Sequence, residues 1–269
     1  MQALVRIRAP NGFNMRWKLY WVWLYGLLVA TCHQKNDANN KLLVAVAANV
    51  QFAIRDIERD FEQETGILVE LITGSSGKLT AQVLQSAPFD IFIAADLKYP
   101  DTLFQQGFSP APPRVYAYGT LVLWTTQELD LNQWQKLLEQ DAVQKIAIAN
   151  PATAPYGLQT IHLLKHYKLY EKVQSKLVLG ESIAQTNQYI ASGACEIGFT
   201  AKSIVLAPEM QGKGKWIAMN PSAYQPIAQG AVITQHGAKQ HPDASQRFFS
   251  YLFSEKGQSI LAKYGYQLP

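Results

Sequence analysis

Hydrophobic residues in this chain fall into short unbroken runs, each followed by a stretch in which apolar and polar positions alternate at helical spacing. Leu42-Leu43-Val44-Ala45-Val46-Ala47 is apolar throughout, as a strand covered on both faces must be. It leads through Ala48-Asn49-Val50 into residues 51–63, where Phe52, Ile54, Ile57 and Phe61 share one helical face and Gly66 stops the helix. A strand over 67–72 follows, then a Ser-rich turn and a helix to about Gln85. Phe89 to Ala95 reads as a third buried strand, with Asp96 placed to cap the next helix. After Pro110, Pro112 and Pro113 comes a strand-rich stretch from Val115 to Thr125.

The pattern then restarts. Gln133–Gln140 predicts a helix and 145–150 a strand, and the turn 151–157 opens a helix through Lys168. A strand at Leu177–Leu179 passes through Glu181-Ser182-Ile183 into a helix ending near Ser192. Cys195–Thr200 is a strand, Ala201-Lys202-Ser203 starts a helix, and Gly212 and Gly214 flank a loop. Residues 225–233 form a return strand, and Asp243 to Lys263 one closing helix. Alternating strands and helices mean an α/β protein with parallel sheets, here two units with a late return to the first.

The stretch Ile72-Thr73-Gly74-Ser75-Ser76-Gly77-Lys78-Leu79-Thr80 organises the first unit. A strand, a small polar turn and a helix leave free N–H groups at a helix N-terminus, with hydroxyls beside them, a setting that attracts an anion. Two catalytic motifs fail here. A Gly-x-Ser-x-Gly elbow counted from Gly74 ends on Lys78, and a P-loop would need Gly and Ser/Thr where Ile72 and Leu79 stand. An ordinary Ser-capped helix accounts equally well for the stretch alone.

The 269 residues suffice for one large or two medium domains, and 48% hydrophobic with 16% charged residues marks a globular chain. The net charge of +4 comes from residues 1–40, which hold Arg6, Arg8, Arg16, Lys18 and Lys35 against Asp37 alone. Without them 19 basic face 19 acidic residues, so the body has no electrostatic reason to bind nucleic acid. Arg16 and Lys18 precede the uncharged run Leu19–Cys32, which is short of the ~20 residues of a membrane span and fits an export signal over 1–32. Met15 is an alternative start, and an uncleaved anchor is the alternative to a signal. Cys32 after Leu28-Val29-Ala30-Thr31 is a candidate lipid-attachment residue, although Thr31 is bulkier than usual there; 33–40 then reads as a tether. Cys195 is left alone, with no disulfide partner and no zinc pattern, and reads as a small buried residue.

Ligands of open α/β sheets bind beyond the carboxyl ends of strands. The turns at 48–50, 74–77, 151–157 and 181–183 qualify, and they consist of Asn, Ser, Thr, Gly, Tyr and small residues with hardly a formal charge. A site of N–H and hydroxyl donors suits a fully deprotonated oxyanion, which offers only acceptors.

These turns, read with Ala47-Ala48-Asn49, Gly74-Ser75-Ser76, the run Ala87 to Asp96 and the terminal Lys263-Tyr264-Gly265-Tyr266, resemble the periplasmic molybdate-binding proteins of ABC transporters from about Leu42 to Leu268. The resemblance implies a two-lobed type II periplasmic binding protein fold, each lobe a mostly parallel sheet flanked by helices, with the ligand in the cleft. Lobe I would comprise 41–120 plus 227–269, and lobe II 121–226. Carried over by position, Asn49 and Ser76 would give donors from the first lobe, with Ala48 and Ser75 as neighbours. The N–H groups of Tyr156 and Ile183 would come from the second. Some family members supply a tyrosine hydroxyl where this chain has Ala201, so Tyr156 or Asn49 would have to replace it or the coordination differs. The implied ligand is molybdate, with tungstate hardly distinguished from it. The implied partner is a membrane permease, and the protein would be a monomer in the periplasm or on the outer face of the cytoplasmic membrane, without cofactor or directly bound metal. Phosphate, still protonated at neutral pH, wants an acceptor these turns lack, and sulfate is smaller.

Other readings exist. A binding protein for sulfate or another oxyanion would look much the same. A secreted hydrolase using Ser75 or Ser76 would need a base, and none of His33, His162, His166, His236 or His241 sits at a strand-end turn. The sensing domain of a transcription regulator would need a helix-turn-helix, for which the sequence gives no sign. His162 and His166, four apart, could take a metal but read more simply as a solvated helix face, and Asp90 and Asp96 as strand-end and cap residues.

Overall fold

The apolar runs become strands, and the amphipathic stretches become the helices that cover them. The computed structural model describes residues 41–269; the expected export signal, the tether and Cys32 lie outside the described residues. In chain order the first strands are β1 (Lys41–Ala47), β2 (Leu68–Gly74), β3 (Ile91–Ile93) and β4 (Arg114–Gly119). They interleave with helices α1 (Gln51–Thr65), α2 (Ser76–Leu84) and α3 (Lys98–Gln105). A second set contains β5 (Leu121–Thr125), β6 (Ile146–Ala149), β7 (Leu177–Gly180), β8 (Ile197–Ala201) and β9 (Lys215–Ala218). Its helices are α4 (Trp134–Glu139), α5 (Pro155–His166), α6 (Tyr170–Val173), α7 (Ile183–Ala191) and α8 (Lys202–Val205). The chain returns through β10 (Ile227–Ile233) and ends in α9 (Gln235–Gln240), α10 (Pro242–Leu252) and α11 (Glu255–Lys263). No helix among the described residues is long and apolar enough to cross a membrane.

Two five-stranded sheets result, ordered β2-β1-β3-β10-β4 and β7-β6-β8-β5-β9. Within the first, β1 runs parallel to β2 and β3, with Ala47 opposite Gly74, while β10 is antiparallel to β3 and β4. The second has the same plan: β6 is parallel to β7 and β8, and β5 antiparallel to β8 and β9. Each is thus a mixed sheet in which four strands run one way and one, β10 or β5, runs against them, and the two lobes match the architecture that the resemblance implies. The lobes are joined at Gly119–Leu121 and again through 219–226, so the strand-rich stretch 115–125 is two strands in different sheets.

Alternation along each strand explains why the runs are unbroken. Val44 and Val46 face a core with Ile54, Ile57, Phe61 and Phe248, while Ala45 faces a second core with Leu79, Phe92 and Leu103. In lobe II, Leu121 and Leu123 pack with Ile148 and Phe199, whereas Val122 and Trp124 pack with Ala147, Ile190 and the free Cys195. Cys195 is buried, as its sequence context suggests, and burial pushes its thiol up.

Two expectations need correction. The single closing helix over 243–263 is two helices, because Ser254 starts a new one: its hydroxyl accepts from the Gly257 N–H at 3.2 Å and donates to the Tyr251 carbonyl at 2.7 Å. Beyond the Gly212/Gly214 loop lies β9, which pairs with β5 from Val122 to Thr125. Its run Lys215-Trp216-Ile217-Ala218 is only partly covered, so it lacks the apolar signature of the other strands.

Candidate functional site

Parallel pairing brings the carboxyl ends of β1, β2 and β3 to one edge of lobe I, and those of β6, β7 and β8 to the facing edge of lobe II. Four helices therefore point their N-termini into the same space: α1 after Ala48-Asn49-Val50, α2 after Ser75, α5 after Ala154 and α7 after Ser182. None of the four carries an acidic residue in its first turn, and none is closed by a side-chain cap. Helices α9 and α11 differ, since Thr234 and Ser254 cap them. First-turn N–H groups have no partner inside their own helix, so an uncapped end leaves donors free and adds the positive end of the dipole.

The cavity they enclose is closed down to about 10 Å³, room for roughly one water, against the ~300–1,000 Å³ of clefts for larger organic ligands. Ala47, Ala48, Asn49, Gly74, Ser75, Ser76 and Ala95 line it from one side, and Ala154, Pro155, Tyr156 and Ile183 from the other. No charged side chain and no histidine is among them. The Ser75 hydroxyl is buried and has no hydrogen-bond partner. The Ser76 hydroxyl accepts from the Ala95 N–H at 3.0 Å, which leaves its own proton to donate.

Asn49 holds a different position from the one its side chain suggests in sequence. Its amide donates to Gln229 Oε1 at 2.8 Å and to Tyr266 Oη at 3.0 Å, so both amide protons are committed behind the cavity. Gln229 is the hub of this support. It also accepts from Tyr116 Oη at 2.7 Å and donates to Tyr156 Oη at 3.1 Å. From lobe II, Ser203 Oγ donates to the Asn49 carbonyl at 2.7 Å. Burial pushes the Tyr116 and Tyr156 phenols well above the ordinary phenol range, so both stay protonated. A β-bulge between Gln229 and Gly230 marks the position of the hub in β10.

The lobes also meet at the cavity rim. The Gly77 N–H donates to the Thr153 carbonyl at 2.9 Å, Tyr99 Oη donates to the Ala152 carbonyl at 3.1 Å, and Lys78 pairs with Glu181 at 3.0 Å. A Cβ on Gly77 would lie 2.8 Å from Tyr99 Oη and 3.0 Å from Thr153 Cα, so only glycine permits this approach.

A family model described as bacterial extracellular solute-binding protein matches residues 42–267. The chain belongs to this family. Among relatives, it is 38% identical over 226 residues to the molybdate-binding protein ModA of Azotobacter vinelandii, covering 84% of this chain and 89% of that one. It is 34% identical over 230 residues to ModA of Rhodobacter capsulatus, covering 85% and 89%. The structure of the Azotobacter vinelandii periplasmic molybdate-binding protein superposes with a TM-score of 0.80 at 33% identity, covering 85% of this chain and 99% of that one. These relatives are binding proteins rather than enzymes.

For a solute-binding protein the cavity places Ala48, Asn49, Ser75, Ser76, Tyr156 and Ile183 together, although Asn49 and Tyr156 are more than a hundred residues apart. Ala201 does not line it; it is fully buried opposite Leu121 at the end of β8. Sequence reasoning missed Gln229, Tyr116 and Ser203, which support the site from behind. The available signal for Gln229 was a lone amide in an otherwise apolar return strand, Ile227-Ala228-Gln229-Gly230-Ala231-Val232-Ile233, and the structure buries it fully.

Proposed function

We propose that this chain is the extracytoplasmic solute-binding component of an ABC importer and captures molybdate in the cavity between its lobes. The observation that carries this reading is the meeting of four uncapped, acid-free helix N-termini around a small uncharged cavity with an unpartnered serine hydroxyl. The similarity to ModA proteins names the ion.

In this reading the hydroxyls of Ser75 and Ser76 and the main-chain N–H groups of Asn49, Ser76, Tyr156 and Ile183 donate to the four oxygens. Asn49 acts through its backbone, because its amide is engaged elsewhere. Ser75, rather than Tyr156 or the Asn49 side chain, makes up the hydroxyl that some family members place at the Ala201 position. A fully deprotonated tetrahedral dianion is bound by donors alone, and no covalent step is involved. Tungstate, nearly the same size, binds alongside molybdate. Protonated phosphate finds no acceptor, and sulfate is too small to reach both lobes at hydrogen-bond length. The protein works as a monomer, held near the membrane through Cys32 or released after cleavage of its signal, and the closed form delivers the ion to the permease.

Thermal unfolding tests this with molybdate, tungstate, sulfate, phosphate or no anion added. A ligand that binds only the folded state stabilises it by about 2.7 kcal/mol at a hundredfold excess over Kd. The melting temperature rises with molybdate and tungstate and not with phosphate, and the rise is lost in the Ser75→Ala/Ser76→Ala variant. A rise with sulfate alone moves the protein to the sulfate carriers; no shift with any anion removes the capture reading.

A further inference from the structure

Far from the cleft, at the opposite end of β3, Asp90 enters the strand with its carboxylate buried and 1% exposed. Two histidines face the same carboxylate oxygen. His241 Nδ1 lies 2.8 Å from Asp90 Oδ1 and His236 Nε2 3.9 Å from it, and one ligand atom from each of the three residues fits within 4.8 Å of the others. We propose that Asp90, His236 and His241 form a site for a divalent transition-metal ion, with zinc the best fit.

Ligand chemistry and spacing support this assignment. Two imidazoles and one carboxylate form a borderline N/O set that suits zinc, whereas calcium and magnesium ask for more oxygens. Tetrahedral zinc with bonds of ~2.0–2.1 Å separates its ligand atoms by roughly 3.3 Å. The observed 2.8 and 3.9 Å to Asp90 Oδ1 lie on either side of that value, and the two ring nitrogens lie within 4.8 Å of each other, so rotation of the partly exposed His236 ring would draw the set in.

The three groups are held in place before any ion arrives. Asp90 Oδ2 accepts the Leu43 N–H at 2.7 Å, which fixes the carboxylate plane. The Asp90 carbonyl accepts the Thr234 N–H at 2.9 Å, and helix α9 presses so closely on this residue that a Cβ on Gly237 would stand 2.3 Å from the same carbonyl. His236 and His241 stand at the two ends of that helix. A groove of about 290 Å³ that includes His236, Gln235 and Phe108 opens beside the site and gives an ion and its water a way in. His236 and His241 are 35% and 19% exposed, which leaves a fourth position for solvent.

The ion would tie the α9–α10 corner to the start of β3. It would leave the anion cavity untouched, because that cavity lies past the other end of the strand, at Ala95. The proposal therefore stands or falls separately from molybdate capture.

The test is zinc titration of the untagged full chain after dialysis against a chelator, followed by calorimetry and thermal unfolding, with Co²⁺ as a spectroscopic stand-in. The expected result is one equivalent bound at micromolar or lower Kd, a raised melting temperature, and a tetrahedral cobalt absorption band. His236→Ala and His241→Ala each weaken zinc at least tenfold while the response to molybdate stays. Calcium and magnesium give no shift. Asp90→Asn is a second probe, but His236→Ala decides, since that ring is partly exposed and stands 3.9 Å from the carboxylate, whereas His241→Ala also removes a 2.8 Å partner from it; metal-free melting shows that each variant folds. Zinc binding that survives in the His236→Ala/His241→Ala double variant overturns the proposal, as does binding lost only in His162→Ala/His166→Ala. The absence of saturable binding also overturns it.

Discussion

At Ser75 the fold leaves a buried hydroxyl with nothing to bond, at the cap position of a helix that it does not cap. An unsatisfied buried polar group costs about 1–3 kcal/mol, so it persists only where something else uses it. Ser75→Ala should therefore leave the anion-free protein as stable as before, or up to about 1 kcal/mol more stable. It should also weaken molybdate at least tenfold; calorimetry and denaturant unfolding check the two halves. Asp96 makes a second residue-scale case. Burial above all pushes its carboxyl up to about 6, while the unfolded chain titrates near 4. Between those values the folded state holds more protons, so its stability falls as pH rises through that window and stays lowered above it. Asp96→Asn keeps an acceptor for the Tyr99 N–H and removes the charge. It should raise the unfolding free energy at pH 8 by about 1 kcal/mol, after allowance for partial exposure, and leave it unchanged near pH 4. The sequence made Ser75 and Ser76 visible as a pair, because small polar residues between a strand and a helix mark an anion-binding turn. It could not show which hydroxyl is spoken for, since that depends on the Ala95 N–H nineteen residues away.

At the scale of elements, unbroken apolar runs were enough to place the strands covered on both faces. β9 escaped because an edge strand with one open side carries no such run. The break at Ser254 was legible in principle: a serine followed by an acidic residue is a helix start, and the apolar spacing through 243–263 masked it. Ser254→Ala removes the Gly257 cap and should cost about 1 kcal/mol by chemical denaturation, with the anion response intact. The Asp90–His236–His241 cluster was not legible, because Asp90 lies about 150 residues from the two histidines in chain order and only helix α9 brings them to it.

Over the whole molecule, the cavity is closed by contacts between lobes rather than by a lid, so capture and release require the lobes to part. Small-angle scattering should show a smaller radius of gyration with molybdate than without. Gly77→Val, which puts a side chain against Thr153 and Tyr99, should abolish that contraction and weaken molybdate at least tenfold with little change in unfolding free energy. The Lys78–Glu181 pair is half exposed on both sides, and removing it should alter affinity less than threefold.

The Asn49–Tyr266 hydrogen bond spans 217 residues. Asn49 follows the first strand and Tyr266 the final described helix, so the first lobe's binding turn takes its support from the far end of the chain. A chain lacking Tyr266 would keep the Gln229 and Ser203 bonds to Asn49 and lose this third one, so the last residues of the sheet-and-helix body set how tightly the first turn is held.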